Sequence, residues 1–92
     1  MSDIEKIIEL GLALQRDGKL FEAERTYYKV LEIEPKQADA IHLLGMVAFQ
    51  NQDYEKAIEL INEAILLNPK TADYHNNISV VYLSLKQIKK YT

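Results

Sequence analysis

Apolar residues along this chain recur at helical spacing, and no segment alternates with the period of a strand for long. In the first stretch, Ile7, Leu10, Gly11 and Leu14 share one face at 100° per residue. Glu5, Ile8, Glu9, Leu12, Gln15 and Arg16 gather roughly 155° away. Ser2 followed by Glu5 has the spacing of a capping box and predicts a first helix over 3–16. Asp17-Gly18-Lys19 ends it, because glycine suits the left-handed position after a helix. A second helix is predicted over 20–33; Pro35 has no N–H with which to continue it and pushes Glu34 out of helical geometry. The third should span 37–50, with Asp39 in its first turn favoured by the helix dipole. The fourth should run from Asp53 as cap to Leu67, where Asn68-Pro69 stops it, and the fifth from Thr71 as cap to Leu85. The residues beyond read as the start of a sixth helix. The expected fold class is all-α.

The chain also repeats itself. Sliding it so that Ile7 meets Ile41 (41 − 7 = 34) brings Leu10 onto Leu44, Gly11 onto Gly45, Ala23 onto Ala57, Pro35 onto Pro69 and Lys36 onto Lys70. These are the small, apolar and helix-stopping positions. A third, shorter copy starts at Ala72 and sets His75, Ile78, Ser79 and Tyr82 at the positions of Ile41, Leu44, Gly45 and Ala48. Each full copy is a pair of helices of roughly fourteen residues, about 21 Å each.

Copy one carries Ile7-x2-Leu10-Gly11-x2-Leu14, Ala23-x3-Tyr27 and Pro35; copy two carries Ile41-x2-Leu44-Gly45-x2-Ala48, Ala57-x3-Ile61 and Pro69. This pattern resembles the tetratricopeptide repeat family, whose repeat reads Trp-x2-Leu-Gly-x2-Tyr, then Ala-x3-Phe, then Pro. The chain departs from it where the family often has a large aromatic, with isoleucine or histidine at the first position and leucine or alanine at the fourth, which implies a less aromatic core. The resemblance implies a right-handed superhelical stack of helical hairpins forming one domain over 1–92: two full repeats (4–37 and 38–71) and a partial third (72–92). It also implies a non-catalytic module that binds a peptide or helix of a partner protein in a concave groove. The small residues have a direct physical use, since Gly11 with Ala23 and Gly45 with Ala57 let paired helices approach closely.

In that family the concave surface is lined by the first helix of each hairpin, and the residues of this chain at those places are Ile8, Leu12, His42, Leu43, Met46, Phe49, Asn76, Asn77 and Val80. They form the expected peptide-binding set. Leu43, Met46 and Phe49 carry two readings: burial in a middle helix flanked on both sides, or the floor of a groove for an apolar or amphipathic segment. Asn76 and Asn77 carry two as well, solvated polar residues or ligands of a bound peptide's backbone. Asn77 is similar in place to an asparagine of glycosyltransferase-linked repeat arrays. The family's carboxylate-clamping variant is not expected, because Ile8, Leu12, Leu43, Asp73 and Asn77 stand where it uses lysine, asparagine and arginine, and only Asn77 could play such a part.

Composition narrows the chemistry. The 92 residues, 48% hydrophobic and 27% charged, hold one core, and the absence of cysteine excludes disulfides, thiolate metal sites and cysteine nucleophiles. Eleven basic against fourteen acidic side chains, a net charge of −3, argue against nucleic acid as a partner. Met1 to Lys6 lacks the basic start and apolar stretch of a signal peptide, and the apolar run Leu43–Phe49 is far shorter than the ~18 residues that cross a bilayer. The expectation is a soluble cytoplasmic protein with no membrane partner. No catalytic residue, metal site or cofactor is expected. His75 reads as a satisfied core histidine and His42 as a solvated or groove side chain, on different faces. Glu55, Glu59 and Glu63 read as a solvated row, and Lys86, Lys89 and Lys90 as an exposed basic end.

With few residues left to supply a sixth helix, Ile78, Val81, Tyr82, Leu85 and Ile88 are expected to leave an apolar face open for self-association, so a homo-oligomer is a possible assembly. Two alternatives stand beside the binding module: the leading repeat segment of a larger enzyme, such as a glycosyltransferase, that presents protein substrate, and a self-assembling scaffold unit.

Overall fold

Ser2 opens the first helix as the capping-box spacing requires, its Oγ accepting the Glu5 N–H at 3.2 Å. A computed structural model describes residues 2–90 as five helices: α1 (Asp3–Arg16), α2 (Leu20–Ile33), α3 (Ala38–Gln50), α4 (Tyr54–Leu67) and α5 (Ala72–Lys90). The described residues contain no strand. Gly18 takes the left-handed φ of +79° after α1. At the corresponding turn after α3, Gln52 adopts φ +66° without glycine's freedom. Asp53 caps α4 through Oδ1, which accepts the Lys56 N–H at 3.3 Å.

Two boundaries differ from those read in the sequence. Gln37 lies outside α3 as its cap, its Oε1 folded back to accept the N–H groups of Asp39 (2.8 Å) and Ala40 (3.3 Å). Helix α5 does not stop at Leu85 but runs to Lys90. The segment from Lys86 to Lys90 contains no glycine, proline or asparagine to break it, and the dipole favours Lys89 and Lys90 in the last turn. No sixth helix is present among the described residues; Tyr91 and Thr92, also assigned to it, lie outside them.

Consecutive helices pack antiparallel as hairpins that stack side by side, and the molecule measures 44 × 29 × 18 Å. Close approach is built in at Gly45, where an added Cβ would stand 2.8 Å from Ile61 Cγ1 and 3.2 Å from the Ala57 carbonyl oxygen. Gly11 does the same against the ring of Tyr27. Tyr27 is fully buried, donates its hydroxyl to Gln15 Oε1 at 2.8 Å, and burial pushes its pKa up to about 12. Its partner Gln15 reaches on to Gln50, joining the ends of α1 and α3.

Burial is unequal along the stack. Helix α3, between α2 and α4 and touching α5, buries eight residues, whereas α1 buries only Gly11. Leu10, expected in the core, is 55% exposed, while its counterpart Leu44 is buried against Ala23 and Tyr27 of α2. The difference is one of neighbours: among the described residues no helix precedes α1 to cover Leu10. His75 departs in the same way. It is exposed, its Nε2 donating to the Pro69 carbonyl at 2.7 Å, and the buried aromatic at the head of α5 is Tyr74.

Candidate functional site

Ile8 and Leu12 of α1, His42 and Leu43 of α3, and the head of α5 line one concavity of about 260 Å³. Ile8, His42 and Leu43 stand a little over one turn into their helices and Leu12 one turn further, so stacking hairpins of equal length sets them side by side. Asp39, Thr71, Asp73 and Tyr74 complete the lining. Of the nine residues expected in a peptide groove, four therefore come together here: Ile8, Leu12, His42 and Leu43.

Polar contacts knit the floor. His42 is only 7% exposed, and Asn77 Nδ2 donates to its Nε2 at 2.8 Å, which leaves the imidazole proton on Nδ1. His42 thus lines the concavity as a groove side chain, but it is buried and not solvated, and Asn77 has its amide engaged within the protein. The His42 ring lies 4.6 Å from that of Tyr74, centroid to centroid. Tyr74 in turn donates its hydroxyl to Asp39 Oδ1. Burial lowers the pKa of His42 below its usual 6.5 and outweighs the nearby Asp39 and Asp73 carboxylates, which raise it. Tyr74 is pushed up to about 12, by burial first and then by Asp39.

The other five expected groove residues go elsewhere. Met46 and Phe49 are half-buried against the core shared by α3, α4 and α5, and Phe49 meets Tyr54 edge-on at 5.6 Å. Asn76 and Val80 are exposed on α5, and Asn77 stands behind the floor through His42. The face expected to be open for self-association is narrower than its sequence suggests. Ile78 and Val81 are buried against α4, because they share a face with Tyr74. Ile88 borders a hollow with Tyr54, Ser84 and Gln87, reached by the continuation of α5 past Leu85. What stays open is Tyr82, 50% exposed, beside Leu85, Lys86 and Lys89, together with Ile88, 42% exposed.

Sequence reasoning set Asp39 and Asp73 on the inner helices without singling them out, and missed Thr71 and Tyr74. The recurrence of an acid at 5, 39 and 73 was a signal for the first two; nothing local distinguishes Tyr74. Among the described residues no three His, Asp or Glu side chains gather as a metal site, and no helix is long and apolar enough to cross a membrane.

A tetratricopeptide repeat family model matches residues 14–78, from the last turn of α1 through α2, α3 and α4 into α5. The chain belongs to the tetratricopeptide repeat family. It is an all-α stack of tetratricopeptide hairpins. The sequence is 37% identical over 75 residues to the photosystem I assembly protein Ycf3 of Rippkaea orientalis and 32% identical to that of Cyanophora paradoxa. Each match takes in 78% of this chain, which spans 43% of the length of either relative. Among solved structures, the O-GlcNAc transferase of Thermobaculum terrenum superposes with a TM-score of 0.86 at 31% identity, over 95% of this chain and 17% of the transferase. MamA superposes with a TM-score of 0.79 at 26% identity, over 96% of this chain and 52% of that one.

Proposed function

We propose that this tetratricopeptide protein is a non-catalytic binding module that holds a segment of a partner protein along the surface formed by α1, α3 and α5. The observation that carries this reading is the shared concavity, in which apolar side chains from two hairpins and polar side chains from a third helix converge. Three helices contribute to it, so a ligand seated there touches several repeats at once. Likeness to proteins named for photosystem I assembly supports a role in which the chain binds and the chemistry lies elsewhere. Photocrosslinking tests it. With benzoylphenylalanine at Leu12 or Asp73, both exposed at the concavity, crosslinks to a partner are expected; from Lys29 or Glu63 on the outer helices they are not. Crosslinks confined to the outer positions overturn the proposal.

Likeness to the repeats of an O-GlcNAc transferase favours a second reading, in which these hairpins are the repeat segment of a larger enzyme and present protein substrate to it. Both readings use the same surface. The genomic reading frame around this sequence separates them, since the second requires a catalytic domain in the same chain.

A further inference from the structure

An acidic side chain recurs at the same place in all three copies: Glu5, Asp39 and Asp73, with 39 − 5 = 34 and 73 − 39 = 34. Each stands in the first turn of its helix, where the dipole alone favours a carboxylate. Asp39 and Asp73 have a second property. They border the concavity whose apolar wall is Ile8, Leu12 and Leu43, and no lysine or arginine lines it. Lys56 pairs with Glu24, on α4 and α2, and among the described residues neither aspartate has a basic partner. His42 is held neutral by burial and by its bond with Asn77, and supplies no positive charge. Two solvent-exposed carboxylates therefore flank an apolar wall, with no basic side chain in the lining to pair with them.

The hollow is the wrong size and composition for most other occupants. At about 260 Å³ it lies below the ~300–1,000 Å³ of small-molecule sites, which suits one long side chain. A purely apolar side chain would strip water from the carboxylates without replacing it, and an acidic one would be repelled. Lysine and arginine lay an aliphatic stem along apolar surface and keep the charged head at its edge. Tyr74 engages Asp39 through Oδ1 and so fixes that carboxylate while its other oxygen stays available.

We propose that this concavity anchors an arginine or lysine side chain of the bound segment, its stem against Ile8, Leu12 and Leu43 and its cationic end between Asp39 and Asp73. The proposal rests on the concave surface being the binding surface. Nuclear magnetic resonance titration of the whole chain tests it, with the peptide acetyl-Ala-Leu-Arg-Leu-Ala-amide as probe and the same peptide carrying citrulline, a neutral isostere, in place of arginine. The arginine peptide should bind about tenfold more tightly, with the largest shifts at Ile8, Leu12 and Leu43, and should weaken as ionic strength rises. Asp39→Asn combined with Asp73→Asn should bring it to the level of the citrulline peptide. Asparagine at 39 still accepts from Tyr74, so the fold survives, which a melting curve checks. Equal binding of both peptides in this concavity overturns the basic anchor and leaves the binding surface standing. Arginine binding that ignores the double substitution overturns the anchor too. If neither peptide shifts these residues, the anchor falls and the concave reading falls with it.

Discussion

His42 shows how one side chain comes to depend on a neighbour that its own helix does not supply. Its bond to Asn77 spans 35 residues, and burial holds its pKa below 6.5. A base kept neutral in the folded state binds fewer protons there than in the unfolded chain. The stability it contributes is thus complete above about pH 6.5 and is lost as the pH falls through that value. Melting temperature measured between about pH 7 and pH 5 should drop more for the wild type than for His42→Gln, which can still accept from Asn77 and does not titrate; parallel curves would assign the acid sensitivity elsewhere. The turns make a second residue-scale comparison. Gln52 pays for a left-handed backbone that Gly18, its counterpart one repeat earlier (52 − 18 = 34), adopts freely. Gln52→Gly should stabilise by up to about 1 kcal/mol, whereas Gly18→Ala should cost about 1 kcal/mol, both read by urea unfolding. A loss at Gln52 would mean its side chain does more than fill the turn.

At the scale of helices, the close crossing of α3 and α4 depends on residues without bulk. Ala57 is fully buried and its carbonyl lies beside Gly45. Ala57→Leu should cost about 1 to 3 kcal/mol by overpacking, while Glu59→Leu, exposed two residues away, should stay within about 0.5 kcal/mol. Equal effects would mean the buried face has been assigned to the wrong side of α4. Helix boundaries of this kind were legible because they are local: Gly18, Pro35, Asp53 and Pro69 act on their immediate neighbours, and the repeat doubles each signal. The cap at Gln37 was not legible, since glutamine is an uncommon cap and succeeds here by folding a long side chain back. Nor was the site. Ile8, Leu12, His42 and Leu43 could be read from helical spacing and family resemblance, but Tyr74 and the Asn77 bond depend on how α5 settles against α3. A three-residue rule along one helix cannot specify a contact between two.

For the whole molecule, the unevenness of the exposed surface matters more than its extent. With Ile78 and Val81 committed to the core, contact between copies through the expected face has Tyr82, Leu85, Ile88 and the adjoining lysines to use. Self-association through this strip therefore stands as a proposal with a single sensitive position. If it occurs, sedimentation equilibrium at several concentrations should show a dimer that Tyr82→Lys shifts to monomer, because a charge there cannot be buried unpaired. A dimer indifferent to the change would locate the contact elsewhere. The uneven burial of the helices has a further consequence, in time and not in space. Helix α1 buries one residue and α3 eight, so amide hydrogen exchange should be fastest in α1 and slowest in α3. Yet α1 supplies Ile8 and Leu12 to the apolar wall of the concavity, which means part of any grip on a ligand comes from the least anchored part of the protein. Binding then carries the cost of quieting that helix, and a bound peptide should slow exchange at Ile8 and Leu12 far more than at Leu43.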